Sequence, residues 1–228
     1  MGGKTTMLLR DGEGRGLCKT SETMMTTAAA AGRFGSATTN VAEMRDAPRF
    51  SLLIRAAKLV TEHGEFLCVV RDASDTGLSA RIFHHIPRCR QLVIELQNGE
   101  RYDVEMMWQE EERAGFRFQS PIDVKAIIEC PSRFAKRSVR INLAATAQIE
   151  TLGRAEYATI QDISQQGAKV ACHSSYAIDQ RVKLLAAGMR DTHAKVRWRR
   201  DGTCGLVFEE TFQFGELARL AQQLQIAR

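Results

Sequence analysis

Short apolar segments, separated by turn residues, recur along most of the 228-residue chain. Their length and regular spacing predict β-strands, and Asn98-Gly99 between two of them is a strong β-hairpin signal. Such strands are typical of a small antiparallel barrel or sandwich, and closure into a barrel would remove exposed strand edges. The predicted strands form two sets, at 51–61, 65–70, 78–83, 92–96, 101–108 and 115–118, and at 141–150, 157–161, 167–172, 182–185, 193–198 and 205–208.

The two sets of strands belong to an internal repeat with an offset of 90 residues (162 minus 72, for example). Each set contains the pattern Asp-x-Ser-x-x-Gly and, further on, a tryptophan, a glycine and a phenylalanine in the same order. Chance rarely places six identities at one spacing, so we interpret the chain as two copies of one domain. The identical pairs are Asp72 and Asp162, Ser74 and Ser164, Gly77 and Gly167, Trp108 and Trp198, Gly115 and Gly205, and Phe118 and Phe208.

The repeat divides the chain into three parts. Residues 1–43 are rich in glycine, alanine and threonine without sustained apolar periodicity, so we expect a disordered tail. Residues 44–131 form the first copy, which ends in a short helix-like segment at 121–131. Residues 132–228 form the second copy, in which Leu217, Leu220, Ala221 and Leu224 follow the spacing of an amphipathic helix that closes the second barrel.

Composition narrows the class of protein. The hydrophobic share of 44% and the charged share of 26% are those of a globular protein. No apolar run approaches the ~20 residues that span a bilayer, and Met7-Leu8-Leu9 is too short for a signal peptide core. We therefore expect a cytoplasmic protein without membrane insertion. The six cysteines lack CxxC and zinc-like spacing, and His84-His85 is expected in an exposed loop, so no metal site is predicted.

The repeated Asp-x-Ser-x-x-Gly pattern has a simple structural interpretation. It follows one predicted strand and precedes another, and Asp and Ser side chains readily hold a tight turn by bonding backbone groups two residues on. The glycine supplies a backbone conformation that a Cβ atom would penalise. Alone, the pattern therefore favours a capped hairpin turn with no ligand.

Basic residues upstream of each pattern add a second interpretation. Arg45 and Arg49 precede the first copy, whereas Lys136, Arg137 and Arg140 precede the second. The planar guanidinium of arginine binds phosphate bidentately and can stack on or bond to guanine. Combined with Asp, Ser and Gly, this flexible basic segment suits an anionic nucleotide that carries guanine. The net charge of +5 agrees, although weakly.

The order and spacing of these motifs resemble the PilZ domain. The resemblance rests on Arg-x-x-x-Arg, then Asp-x-Ser-x-x-Gly, then a terminal strand pair with Trp and Gly-x-x-Phe, and it covers about 44–120 and 132–212. It implies two tandem six-stranded antiparallel β-barrels, each followed by a short helix, that bind cyclic di-GMP, the bacterial second messenger. The ligand-binding residues that it implies in the first copy are Arg45, Arg49, Asp72, Ser74 and Gly77.

The second copy departs from the family pattern. Its Asp162, Ser164 and Gly167 are intact, but alignment on Arg140 places Lys136 where the first arginine belongs. Lysine lacks the fork of arginine, so this exchange weakens the expected recognition, for which the adjacent Arg137 offers compensation.

Four classes of function are compared. The first is a receptor for cyclic di-GMP without catalysis or cofactor, which acts on a downstream protein of the motility, adhesion or exopolysaccharide machinery, as the resemblance implies. The second is a ligand-independent protein-interaction module with a PilZ-like barrel. A nucleic-acid binder is disfavoured, because aromatics are only 7% and do not cluster as stacking platforms; Trp108 and Trp198 are expected to pack in the core or at a barrel end. An enzyme is the class with the least support.

Overall fold

The structure is a computed structural model that describes residues 50–129, 138–173 and 175–226. Two closed six-stranded antiparallel β-barrels account for most of these residues, each followed by a helix, as the sequence predicts. The tail predicted at 1–43 lies outside the described residues. The first barrel has β1 (Phe50–Thr61), β2 (Gly64–Ala73), β3 (Gly77–Arg81), β4 (Leu92–Leu96), β5 (Arg101–Glu110) and β6 (Arg113–Phe118), followed by α1 (Val124–Glu129). The second has β7 (Ile141–Thr151), β8 (Arg154–Ser164), β9 (Gly167–Cys172), β10 (Arg181–Ala186), β11 (Thr192–Arg200) and β12 (Thr203–Phe208), followed by α2 (Phe214–Ile226).

Both barrels have the same strand order. In the first it is β1-β2-β3-β6-β5-β4, and pairing of β1 with β4 closes the ring. In the second it is β7-β8-β9-β12-β11-β10, closed by β7 and β10. Closure gives every strand two neighbours, which removes the exposed edges that an open sheet would present.

Alternating side chains fill the two barrel interiors. Strand β7 shows the pattern most clearly, with buried and exposed residues alternating from Ile141 to Ala147. Leu59, Ile82 and Ile94 lie in the first core, and their burial stabilises the fold by about 1.5–3 kcal/mol each. Cys68 and Cys204 are also buried, as expected for thiols that pack as small apolar groups, and burial raises the pKa of each to about 12.

The helices close the barrels with which they are continuous in sequence. Val124 and Ile127 of α1 pack in the first core. In α2, Leu217, Leu220 and Leu224 pack in the second core, which confirms the amphipathic helix predicted there.

Strand β2 is part of the first barrel and also packs against the second, and both barrels belong to the compact unit Arg45–Arg228. Because successive strand residues point to opposite faces, Phe66 faces the first core while Leu67 faces outward, and Leu67 is completely buried in the core of the second barrel. Next to it, the side chain of Gln225 in α2 accepts a hydrogen bond from the Glu65 backbone N–H and donates one to the Glu65 carbonyl, each at 2.9 Å. The barrels therefore share apolar and polar contacts.

Candidate functional site

The Asp-x-Ser-x-x-Gly segments form the same turn in both barrels. The hydroxyl of Ser74 donates to the Gly77 carbonyl at 3.2 Å, and that of Ser164 donates to the Gly167 carbonyl at the same distance. These bonds span three residues rather than the two expected from the sequence. Both serines are 3% exposed, so their hydroxyls hold the β2–β3 and β8–β9 hairpins.

The glycines of these turns serve a purpose other than the predicted one. Neither Gly77 nor Gly167 has a positive φ, so the expected backbone conformation is not the reason for glycine. A Cβ atom would instead collide with a backbone carbonyl oxygen of the paired strand. This oxygen is that of Phe116 in β6 beside Gly77 and that of Leu206 in β12 beside Gly167. Glycine permits this close approach of strands, which is a requirement of packing.

The residues between serine and glycine anchor the segment that leads to each helix. The Asp75 carbonyl accepts the Ile122 N–H at 3.0 Å, and the Gln165 carbonyl accepts the Phe212 N–H at 3.0 Å. The turn therefore fixes both the hairpin and the chain that enters the helix, which gives the motif a structural function.

The repeated aspartate, glycine and tryptophan lie in one row across four strands. In the first barrel, register pairs Asp72 with Ser79, Ser79 with Gly115, and Gly115 with Trp108. In the second barrel the corresponding row is Asp162, Lys169, Gly205 and Trp198. A register shift precedes the aspartate and another precedes the tryptophan in both barrels, so the bulges recur as well. Residues 36 positions apart in sequence (108 minus 72) are thereby brought onto one surface.

The tryptophans lie on the outside of the barrels. Trp108 is 42% exposed and Trp198 is 40% exposed, and each indole covers the glycine that faces it, Gly115 or Gly205. Of the two predicted positions, the core or a barrel end, the core was wrong, because the bulge before each tryptophan turns its side chain outward. Glycine at the facing position leaves the space that the indole occupies.

An ion pair connects Arg140, the last of the upstream basic residues, to the turn of the second copy. Arg140 Nη1 donates to Asp162 Oδ1 at 2.6 Å, with the Arg140 side chain 58% exposed and the Asp162 side chain 14% exposed. In the first barrel the Ser79 hydroxyl donates to Asp72 Oδ2. A hydroxyl thus lies beside Asp72 and a guanidinium beside Asp162.

The structure describes seven of the eleven predicted site residues. It brings Asp72, Ser74 and Gly77 together in one turn, and Asp162, Ser164 and Gly167 in the other, with Arg140 beside Asp162. Arg45, Arg49, Lys136 and Arg137 lie outside the described residues, so their contribution stays a prediction.

Sequence reasoning missed several residues around these turns. A groove of about 1150 Å³ on the first barrel is lined by Asp72 and Trp108, and it also contains three arginines and three glutamates. Ser79 and Lys169 were missed as well, because they occupy equivalent positions but differ in type. The strand alternation places them outward, but only the cross-strand register shows that they neighbour the aspartates. The further groove residues are Arg71, Arg81, Arg113, Glu110, Glu111 and Glu112.

The charged residues that neighbour the tryptophan in sequence differ in sign between the two barrels. Glu110, Glu111 and Glu112 follow Trp108, whereas Arg197, Arg199 and Arg200 flank Trp198. All six side chains belong to exposed residues. Since the two tryptophans occupy equivalent strand positions, the repeat has diverged in charge on an otherwise matching surface.

His84 is less exposed than the loop position predicted from sequence. Its ring packs edge-on against Phe66, with 5.1 Å between the ring centres, and its Nε2 is buried without a hydrogen-bond partner among the described residues. Burial lowers the pKa of His84. The described residues contain no cluster of three or more His, Cys, Asp or Glu side chains suited to a metal ion. Among the helices that the structure describes, none has the length and apolarity needed to cross a membrane.

Comparison with known protein families decides the identity of the second barrel. The PilZ domain family matches residues 132–225. This segment is a PilZ domain. The match contains the Arg140–Asp162 ion pair, the hairpin of Ser164 and the Trp198 surface, so these features belong to the PilZ barrel. The first barrel shares its strand order, but the family match does not extend to it, and its membership stays a prediction.

Solved structures similar to the chain include two bound to cyclic di-GMP. PlzA of Borreliella burgdorferi in complex with c-di-GMP is 10% identical, with a TM-score of 0.33 over 76% of this chain and 92% of PlzA. YcgR of Escherichia coli in complex with c-di-GMP is 12% identical, with a TM-score of 0.28 over 76% of this chain and 82% of YcgR. The inhibitor of motility MotI/DgrA of Bacillus subtilis is 11% identical, with a TM-score of 0.33 over 77% and 98%. No curated protein matches the chain. The assignment of the PilZ barrel therefore rests on the family match.

Proposed function

We propose that the chain is a non-catalytic receptor for cyclic di-GMP. The observation that carries the proposal is the Arg140–Asp162 ion pair in the PilZ barrel, because it joins a guanidinium to the aspartate of the Asp-x-Ser-x-x-Gly pattern. The dinucleotide has two guanines and two phosphates, so a site that recognises it needs both cationic donors and an acceptor for the guanine edge.

Arg140 and Asp162 supply these two chemical functions. A guanidinium binds phosphate oxygens or the O6 and N7 acceptors of guanine through two parallel N–H donors. The Asp162 carboxylate accepts hydrogen bonds from the N–H groups of a guanine edge. Its pairing with Arg140 at 2.6 Å holds the guanidinium beside the turn before ligand arrives, which lowers the ordering cost of binding. Lys136 and Arg137 complete the proposed cationic segment.

The proposed ligand set comes from the same positions in each barrel. In the second barrel it is Lys136, Arg137, Arg140, Asp162, Ser164 and Gly167, and in the first it is Arg45, Arg49, Asp72, Ser74 and Gly77. Ser164, Gly167, Ser74 and Gly77 act by shaping the turn, since the serine hydroxyls bond to the glycine carbonyls.

Local charge favours the second barrel as the tighter site. The groove beside Asp72 has four carboxylates against three arginines, whereas Lys169 and the arginines around Trp198 border the row of Asp162. A dianionic ligand is attracted by the second surface and repelled by Glu110 and Glu111 on the first. This argument opposes the one from sequence, in which Lys136 weakens the second copy.

The contacts between barrels offer a route for signalling. Asn142 follows Arg140 by two residues, and its backbone and side-chain N–H groups donate to the Glu65 carboxylate at 2.8 and 2.9 Å. Glu65 also pairs with Lys58 of the first barrel at 3.0 Å. If Arg140 moves towards the phosphates of the bound ligand, the contact between Asn142 and Glu65 is disturbed. Binding is therefore expected to change how the barrels contact each other or a downstream protein.

The two tryptophans allow the two sites to be tested separately. The chain has two tryptophans in total, one in each proposed site row. In the Trp108→Phe variant, cyclic di-GMP is expected to change the emission of Trp198, and Asp162→Asn or Arg140→Ala should suppress that change. In Trp198→Phe, the Trp108 emission reports on the first site and should depend on Asp72 and Arg49.

Matched controls separate recognition from general charge. Arg154→Ala removes an exposed arginine of β8 outside the site, and titration with cyclic di-AMP removes the guanine edge while keeping both phosphates. Arg154→Ala should keep the wild-type response to cyclic di-GMP, and cyclic di-AMP should fail to produce that response in wild type. Absence of any emission change, together with absence of calorimetric binding, would overturn the receptor assignment.

A further inference from the structure

The PilZ barrel has an exposed cationic surface on β11, and none of its residues belongs to the proposed ligand set. We define the basic strip as Lys195, Arg197 and Arg200, all on exposed positions of this strand. Arg197 is 71% exposed and lies 3.9 Å from Asp179, while Arg200 is 84% exposed and lies 3.2 Å from Asp201. Ion pairs this exposed contribute about 0–1 kcal/mol, so both arginines remain able to exchange partners.

The first barrel has three exposed glutamates where β5 ends and β6 begins. We define the acidic tip as Glu110, Glu111 and Glu112, where β5 turns into β6. Glu112 pairs with Arg81 at 2.7 Å. Glu110 and Glu111 form no ion pair with the other described residues. The tip and the strip share one repeat position, because Glu110 and Arg200 are 90 residues apart (200 minus 110).

Exposed apolar side chains lie next to the acidic tip and within the basic strip. Trp108 and Met107 adjoin the acidic tip, with Met107 51% exposed, and Trp198 lies within the basic strip. Interfaces between proteins commonly place aromatic residues and Met at the centre and charged residues at the rim. An arginine of the strip that packs on the Trp108 indole would add a cation–π contact.

We propose that two copies of this chain associate reciprocally through these surfaces. The acidic tip of each copy docks on the basic strip of the other, which gives two identical contacts related by one two-fold axis. A second copy is favoured over nucleic acid because it supplies the complementary charge for both surfaces, whereas a phosphate backbone satisfies the strip and is repelled by the tip. This inference does not depend on the binding of cyclic di-GMP.

Charge reversal in the full chain tests the pairing. Sedimentation velocity at about 100 µM protein and about 50 mM salt, where screening of surface charge is weak, should show a dimer in wild type. Arg197→Glu with Arg200→Glu, or Glu110→Arg with Glu111→Arg, should each weaken association by about tenfold or more, since like charges across an interface cost several kcal/mol. Arg154→Glu is the control and should leave the dimer intact.

Mixing the two reversed variants gives the decisive result. One variant has two acidic surfaces and the other has two basic surfaces, so an equimolar mixture should restore a dimer that neither variant forms alone. A monomer in wild type at low salt, or a dimer that resists both reversals, overturns the proposal. Binding of an oligonucleotide by a monomeric wild type, lost in Arg197→Glu with Arg200→Glu, would assign the strip to nucleic acid instead.

Discussion

Gly167 and Gly205 lack a Cβ atom for two different steric reasons in the same barrel. Beside Gly167 the atom in the way of a Cβ is a backbone oxygen, that of Leu206, whereas beside Gly205 it is the Trp198 indole. A backbone oxygen within a closed barrel cannot move without disturbing the ladder, but a partly exposed indole can rotate away.

These two steric contacts predict that substitution by alanine has different effects at the two glycines. Gly167→Ala should lower the free energy of unfolding by about 1–3 kcal/mol, the range for overpacking, and Gly205→Ala should cost less. Gly205→Ala should instead shift the fluorescence of Trp198, measured in a Trp108→Phe background. Urea unfolding followed by circular dichroism gives the two free energies. Equal costs, with Trp198 emission unchanged, would contradict this explanation of the glycines.

His84 predicts a dependence of stability on pH. Burial lowers its pKa below the ordinary 6.5, so the unfolded chain takes up the proton more readily than the folded chain does. The stabilisation is complete above about pH 6.5 and is lost as the pH falls through the lowered pKa of folded His84. His84→Phe keeps an aromatic contact with Phe66 without a titrating group.

We therefore expect His84→Phe to lose less stability than wild type between pH 7.5 and pH 5.5, a range that brackets the ordinary histidine pKa of about 6.5. The measurement is urea unfolding at both values. His173→Gln, at an exposed position, is the control and should follow the wild-type change. If His84→Phe loses as much stability as wild type, burial of His84 has no part in the acid sensitivity.

The sequence could predict site residues where the same residue type recurs in both copies, and not where the two copies have different residues at one position. Asp72 and Asp162 were evident because identical residues recur at one offset. Ser79 and Lys169 share a place in the row, but it is cross-strand register that brings each to its aspartate. The outward position of Trp108 depends on a bulge, which comes from long-range strand pairing rather than from local sequence.

At the scale of elements, β2 serves two barrels at once. Its inward residues fill the first core, and its outward Leu67 fills part of the second. The strand was predicted at 65–70 from its apolar residues. The burial of both of its faces could be explained only once the second barrel was seen to cover the outer one.

Leu67→Ala tests this sharing. Removal of a completely buried leucine should cost about 2–5 kcal/mol, and the loss should appear in the second barrel although the residue belongs to the first. Hydrogen exchange measured by mass spectrometry should show weaker protection in β7 and α2. Leu59→Ala, in the first core, is the matched control and should weaken protection in β1 and β4 first. Unchanged exchange of the second barrel in Leu67→Ala would refute the shared core.

Two of the predicted strands have the same bounds in the structure. Leu92–Leu96 and Gly167–Cys172 agree with the structure, whereas β5 continues two residues past the predicted end at Trp108. Gln109 and Glu110 extend it because their backbones still pair with β6, and polar side chains on an outer face conceal that pairing from a hydrophobic pattern.

At the scale of the whole molecule, the proposed receptor function connects ligand to the contact between barrels. Small-angle scattering of wild type should show a change of shape with cyclic di-GMP, because Arg140 and the Glu65-bound Asn142 lie on one segment. Glu65→Ala removes the link while leaving Arg140 and Asp162 in place, so the ligand should still bind with a smaller change of shape. Identical scattering with and without ligand in wild type would contradict this route for signalling.

The central claim is that the PilZ barrel binds cyclic di-GMP through Arg140 and Asp162. Isothermal titration calorimetry of the full chain with cyclic di-GMP tests it most directly, with Asp162→Asn as the site variant and Arg154→Ala as the control. We predict saturable binding by wild type and by Arg154→Ala, loss of binding at the second-barrel site in Asp162→Asn, and much weaker binding of cyclic di-AMP. No heat of binding with wild type, or the same isotherm with Asp162→Asn, would contradict the account.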